Sequence, residues 1–315
     1  MNLRLLGDYV VYLLVRVLIC IIQAMRIETC HAMARGLAYL ACDILKLRRD
    51  VSEENLSHAF PEWSAEKRLD VTRRMWEHLV LMICEVAHMP RKMHETNWRS
   101  YVRTKDVEPA VASLLTAKPN VVLLGHFGNF EVGGVLSGLL GFPTHTIARP
   151  LDNPFLDRFL AQFRGRTGQY ILPKDGSAPA VSALMERGGT LALLGDQNAG
   201  PKGCWIEFFG RPASCHKAIA LFSLTADAPM IVSYTKRLDR PMRFEFGVTA
   251  VYDPERENHS MGDVRSITQW YSEELEKIIR QSPEQYWWIH RRWKDTRGKR
   301  KKKIAAKQAA RARAA

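Results

Sequence analysis

Hydrophobic and polar positions divide the chain into two regimes. Up to about residue 90 the pattern is helical: apolar residues recur at intervals of three and four through 30–46, and Ser64-Ala-Glu-Lys opens another helix with a Ser N-cap and an acidic first turn. From Val121 short apolar runs end in turn residues and give way to helical stretches. These runs, Val121–Leu124, Thr144–Ile147, Tyr170–Leu172, Thr190–Leu194, Met230–Tyr234 and Arg243–Val248, predict strands. Strands alternating with helices imply an α/β fold with a mixed, mostly parallel sheet flanked by helices. A last helix is predicted over Asp263–Arg280, followed by an aromatic turn, Tyr286-Trp-Trp-Ile-His-Arg-Arg-Trp. The reading gives a helical N-terminal region packed on the main domain (1–90), an α/β domain (91–295) and a basic, disordered tail (296–315).

The N-terminal run Tyr9–Ile22 is apolar but interrupted by Arg16. It falls short of the ~20 uninterrupted residues of a spanning helix, and a central Arg costs about 2.5–3.5 kcal/mol on insertion scales. A monotopic or shallow membrane anchor fits it better, with an amphipathic helix on the protein's own core as the alternative. No small-residue cleavage site follows, which disfavours a signal peptide.

Charge sharpens this picture. The net charge is +13 over 315 residues, yet Arg291–Ala315 alone holds twelve Lys or Arg and one Asp, leaving +2 for the preceding 290 residues. Basicity confined to a tail is not a nucleic-acid-binding face, and no nucleic-acid partner is expected. The tail suits anionic lipid, or an acidic carrier protein. The aromatic turn with Arg291 and Arg292 suits a membrane interface, or closes the core. The six cysteines are irregularly spaced without a C-x-x-C pair, and are expected to be reduced.

Candidate chemistry concentrates in Val121-Val-Leu-Leu-Gly-His-Phe-Gly-Asn-Phe-Glu131. An aliphatic strand runs into a Gly-rich turn, which places His126 at a strand's carboxyl end, where open α/β sheets bind ligands. Glu131, five residues on, can return its carboxylate to one imidazole nitrogen and leave the other to accept a proton. Backbone N–H groups near Phe127–Asn129, or a nearby cation, are candidate oxyanion donors. Asp196 and Gln197 end the run Leu191–Leu194 and are expected to line the same cleft. No H-E-x-x-H or zinc-type spacing exists, so no metal is expected. Gly134-Val-Leu-Ser-Gly138 has the wrong spacing for a serine nucleophile elbow.

His126 and Glu131 in this setting resemble the H-x4-D/E motif of the lysophospholipid acyltransferase superfamily. The whole chain is similar to its bacterial lipid A late acyltransferase branch, the lauroyl and myristoyl transferases. Ala148-Arg-Pro-Leu-Asp-Asn-Pro154, Arg164-Gly-Arg-Thr-Gly168, Gly195-Asp-Gln197, Phe208-Phe-Gly-Arg-Pro-Ala213 and Pro283–Trp293 carry the likeness in order, over roughly residues 5–295. One departure is Ser214-Cys-His216, where relatives carry a Thr-rich helix start; Ser is expected to cap the helix there.

The resemblance implies a glycerolipid acyltransferase-like fold at the cytoplasmic face of a bacterial inner membrane. The implied reaction moves a fatty acyl group from a thioester, acyl carrier protein or coenzyme A, to a glycolipid hydroxyl, with no further cofactor. His126 is then the base and Glu131 its orienter. Asn129, Arg149, Arg164, Asp196, Gln197 and Arg211 are candidate substrate contacts, the arginines for anionic headgroups. Another acceptor, such as a phosphatidylinositol mannoside or a lysophospholipid, is the nearest rival reading. A membrane-tethered lipid-binding protein without catalysis is the next.

Overall fold

A computed structural model describes residues 3–294 except residue 175; the tail read at 296–315 lies outside the described residues. The N-terminal part is helical: α1 (Leu3–Ala24), α2 (Ile27–Tyr39), α3 (Arg49–Ala59) and α4 (Ala65–Lys92). The remainder runs β1 (Val102–Lys105), α5 (Glu108–Leu114), β2 (Asn120–Leu124), α6 (Phe130–Leu139), β3 (Thr144–Ala148), α7 (Pro154–Gly165), β4 (Gln169–Pro173), α8 (Ala178–Glu186), β5 (Thr190–Leu194), β6 (Cys204–Phe208), β7 (Arg211–Cys215), α9 (Lys217–Thr225), β8 (Met230–Arg237), β9 (Phe244–Tyr252) and α10 (Val264–Gln281).

Seven strands form one sheet in the order β1-β9-β8-β2-β5-β3-β4, and β6 and β7 form a separate hairpin. Every neighbouring pair in the large sheet is parallel except β8 and β9. The fold is therefore α/β with a mixed, mostly parallel sheet, and β2 and β5 lie at its centre. Their alternation is informative. Val121, Leu123, Leu191 and Leu193 are buried against the main core, whereas Val122, Leu124, Ala192 and Leu194 on the other face are only half-buried. That second face is covered by α6, whose small residues do not fill the space between.

One large core joins the two regions of the chain. Leu56, Phe60, Met75 and Leu79 of α3, its C-cap and α4 share it with Val121, Leu191, Tyr271 and Trp288. Ser64 caps α4 by accepting from the Lys67 N–H. The aromatic turn closes this core: Tyr286 and Trp288 are buried, and the Trp288 indole N–H donates to the Pro283 carbonyl. Ser214 caps no helix. It belongs to β7, its hydroxyl donates to the Gly200 carbonyl, and α9 starts after His216.

Helix α1 is longer than the apolar run that predicts it, because it begins at Leu3. By length and composition it is long and apolar enough to cross a membrane, and 6% of its apolar window is buried. It rests on α7 through Tyr9 and Tyr12 against Phe155, and through Arg16 over the Phe159 ring.

Candidate active site

The parallel register of β2 and β5 builds the centre of the site. Leu124 pairs with Leu194, and the next residues, Gly125 and Gly195, let both chains turn off the sheet side by side. A side chain at Gly195 would run into Leu123 at 2.6 Å. His126 and Asp196 therefore emerge as neighbours. Asp196 accepts from the His126 backbone N–H (2.9 Å) with one oxygen and pairs with Nδ1 (2.7 Å) with the other. The imidazole leans on the Trp287 ring (4.9 Å between centroids) and the Phe130 ring (5.5 Å). Gln197 brings its amide nitrogen 3.2 Å from Nε2. A carboxylate on Nδ1 fixes the tautomer whose Nε2 carries a lone pair.

Electrostatics follow from that contact. Burial pushes the His126 pKa down, but the Asp196 charge and hydrogen bond outweigh it, and the net shift is upward from 6.5. For Asp196, burial opposes ionisation while His126 favours it more strongly, which brings its pKa to about 2. At neutral pH Asp196 is a carboxylate and His126 a base of raised strength.

The turn after His126 is held from behind by buried polar groups. Gly128 has φ +59°, and a side chain there would meet the Thr235 carbonyl oxygen at 1.9 Å; only glycine fits. The Gly128 N–H donates to the Gln285 carbonyl, the Asn129 N–H to the Thr235 carbonyl, and the Trp287 N–H to the His126 carbonyl. Beneath lies a closed network. Arg237 grips Glu85 with two bonds (2.7 and 2.6 Å) and donates to His78 Nδ1 (2.6 Å), and His78 Nε2 meets the Gly128 carbonyl at 3.1 Å. Burial, then the Arg237 charge, hold His78 well below its usual pKa, so it is neutral and donates through Nε2. Asn129 donates to Glu85 (3.0 Å).

His126 and Gln197 open onto a cleft of about 560 Å³, lined on one side by α6 and the half-buried sheet face and on the other by α9. A family model described as bacterial lipid A biosynthesis acyltransferase matches residues 1–295. The chain belongs to this family. It is 25% identical over 258 residues to the lipid A biosynthesis palmitoleoyltransferase of Escherichia coli (strain K12), covering 81% of each chain. It is 23% identical over 268 residues to the lipid A biosynthesis lauroyltransferase of the same organism, covering 84% of this chain and 85% of that one. The crystal structure of the 1-acyl-sn-glycerophosphate (LPA) acyltransferase PlsC from Thermotoga maritima aligns with a TM-score of 0.41 at 10% identity, over 81% of this chain and 97% of that one.

In this lipid A acyltransferase family member the predicted site residues take unequal places. His126, Glu131, Arg149, Arg164 and Gln197 line the cleft. Glu131 does not touch His126. Its carboxylate faces Arg164 and accepts from Nε (3.1 Å) and Nη2, because α6 carries Glu131 away from the imidazole while β5 delivers Asp196 to it. Arg149 is largely exposed and pairs with Asp152 at 2.5 Å. Asn129 is fully buried beneath the turn, and Arg211 starts β7 away from the cleft lining. The Gly128 and Asn129 N–H groups are already bonded, so neither is free to serve an oxyanion; the Gln197 amide and the Arg164 guanidinium remain in the cleft. Sequence reasoning passed over Glu85, Arg237 and His78, which nothing local marks, and gave Gln285 no role of its own within the Pro283–Trp293 segment. Asp196 as the imidazole's partner had a signal: Leu123-Leu-Gly-His126 and Leu193-Leu-Gly-Asp196 are parallel copies.

Among the described residues no group of three or more His, Cys, Asp or Glu side chains could hold a metal ion. All six cysteines are free.

Proposed function

We propose that this chain transfers a fatty acyl group from an acyl thioester to a hydroxyl of a lipid A precursor. His126 Nε2 takes the hydroxyl proton as the oxygen attacks the thioester carbonyl; Asp196 stabilises the imidazolium, and the proton passes to the departing thiolate. An alcohol is too weak a nucleophile at neutral pH without such a base. The observation that carries this reading is the buried His126–Asp196 pair with Nε2 turned to the cleft, in a chain of this family.

Glu131 acts through Arg164: the partly buried carboxylate fixes the guanidinium where it can meet the carbonyl oxygen as it gains charge, or a headgroup phosphate. Gln197 is the second donor within reach of Nε2. Acyl carrier protein is the proposed donor and the cytoplasmic face of the inner membrane the proposed location. The exposed apolar surface of α1 supports membrane attachment.

The test is acyl transfer by the purified full-length protein in detergent, from lauroyl-acyl carrier protein to a tetraacylated lipid A precursor, followed by mass spectrometry. One added acyl chain with wild type and none with His126→Ala is the expected result. Equal product from both would overturn the assignment.

A further inference from the structure

Between α2 and α3 the chain sets cations beside exposed apolar side chains. A π-helical turn, Leu40–Ile44, is followed by Leu45-Lys46-Leu47-Arg48-Arg49. Ile44, Leu45 and Leu47 are 58%, 56% and 44% exposed. Such neighbours suit a bilayer interface, where hydrocarbon enters the acyl layer and charge stays with the headgroups. Lys46 and Arg48 both have positive φ (48° and 54°), which glycine or asparagine adopts at lower cost. Strain kept at these positions points to side chains retained for a contact rather than for the turn.

Arg48 lines a notch of about 490 Å³ together with Arg291, Lys294, His290 and Asn198. No carboxylate of the described residues lines it. Asp50, outside the lining, reaches Arg291 at 3.4 Å, while the Arg48 and Lys294 side chains have no hydrogen-bond or ion-pair partner among the described residues. The adjacent arginines divide their tasks. Arg292 is buried and donates inward to the Ser214 carbonyl (2.8 Å), whereas Arg291 belongs to the notch.

His290 adds a neutral donor. Burial lowers its pKa from 6.5, and the Arg48 charge contributes in the same direction. Its Nε2 accepts from the Asn198 backbone N–H (3.1 Å), which puts the ring proton on Nδ1. The notch backs onto the catalytic cleft at this point, since Asn198 lines the first and Gln197 the second.

We propose that this notch binds the phosphate of an anionic membrane phospholipid, with Arg48, Arg291 and Lys294 as its charge partners and Leu45 and Leu47 beside the acyl chains. Guanidinium groups match phosphate geometry, and the apolar residues next to Arg48 favour a lipid over a soluble phosphate. This site is separate from the cleft that opens at His126.

Full-length protein in a neutral maltoside detergent would be titrated with dihexanoylphosphatidylglycerol, dihexanoylphosphatidylcholine or glycerol 3-phosphate, and bound species counted by native mass spectrometry. The variants are Arg48→Asn with Lys294→Gln, and Leu45→Ser with Leu47→Ser. Residues 296–315 are present throughout, so differences between variants report the notch. Asparagine suits the backbone at position 48, and melting at or above the wild-type temperature is expected for the charge variant; if it is not folded, Lys294→Gln alone decides.

Wild type should bind phosphatidylglycerol about tenfold more tightly than phosphatidylcholine, and the charge variant should lose about tenfold or more of that binding. The serine variant should weaken phosphatidylglycerol but leave glycerol 3-phosphate unchanged. Phosphatidylglycerol binding that is absent in wild type, or undiminished in a folded charge variant, would overturn the site. Glycerol 3-phosphate bound as tightly as the lipid would assign the notch to a soluble phosphate and overturn the lipid. If the charge variant instead lost binding to acyl carrier protein while keeping phosphatidylglycerol, the notch would belong to an acidic protein and the proposal would fail.

Discussion

Replacing Asp196 with Asn tests the chemistry most directly. The carboxylate accepts two bonds from His126, one from the backbone N–H and one from Nδ1. An amide has one oxygen to share between them. If that oxygen keeps the backbone N–H, the amide NH2 faces Nδ1 and forces the proton to Nε2, the nitrogen that must accept. If it keeps Nδ1, two N–H groups oppose each other at the backbone. Either way, a charge-assisted bond of about 1.5–3 kcal/mol is lost, and the imidazolium loses its counter-charge as it forms. The analogous change in a Ser-His-Asp triad costs about 10⁴ in kcat. Here a drop of about 10³–10⁴, or roughly 4–5 kcal/mol of barrier, is expected in kcat, with KM for the acceptor little changed. The pH profile provides a second readout. In the proposed mechanism transfer requires neutral His126, so kcat/KM should rise with pH through the raised His126 pKa. Without the Asp196 charge only burial remains, and burial lowers the pKa. The acid limb should therefore move to lower pH, below 6.5, even as the plateau falls. A variant with kcat within tenfold of wild type and an unmoved acid limb would refute the assignment of Asp196.

Other perturbations separate neighbouring roles. Glu131→Gln loosens Arg164 and should lower kcat/KM about tenfold or more, but leave the acid limb in place, because Glu131 does not contact His126; a shifted limb in the pH profile would restore Glu131 as the orienter. Glu85→Ala strands Arg237 in the interior and should cost about 3–5 kcal/mol in denaturant titrations, with a loss under 1 kcal/mol counting against the buried network. Gly128→Ala drives a methyl group into the Thr235 carbonyl and should abolish transfer and lower the melting temperature; an active protein with wild-type melting would show that the turn relaxes freely.

The central fold was legible because β2 and β5 are unbroken aliphatic runs, and only strands covered on both faces of a sheet tolerate such runs. The hairpin of β6 and β7 escaped notice for a local reason. Its two turn residues, Phe209 and Gly210, both have positive φ (51° and 66°), a turn that usually announces itself as Asn-Gly, and Pro212 inside β7 argues against a strand. Strand β1 is four residues, Val-Arg-Thr-Lys, at a sheet edge where charge replaces the hydrophobic signal. In the site, proximity in sequence favoured Glu131 as the imidazole's partner. The partner came from 70 residues away, through a strand register that no short segment encodes. The same applies to Glu85, Arg237 and Gln285, whose meeting is a property of the packed molecule.

The non-local ties of the His126 turn have a consequence for biosynthesis. His126 and Gly128 are held by backbone groups of Trp287 and Gln285, more than 150 residues downstream, and the main core is closed by Trp288. Polypeptides emerge amino end first, so the apolar first helix is available to a membrane long before the segment that completes the catalytic turn has been made. On the proposed attachment and chemistry, an interrupted translation product ending before residue 285 would reach the lipid surface without the backbone groups that hold the His126 turn. The order of synthesis then separates the two proposed properties: attachment through the first helix can precede completion of the His126 turn, whereas acyl transfer cannot.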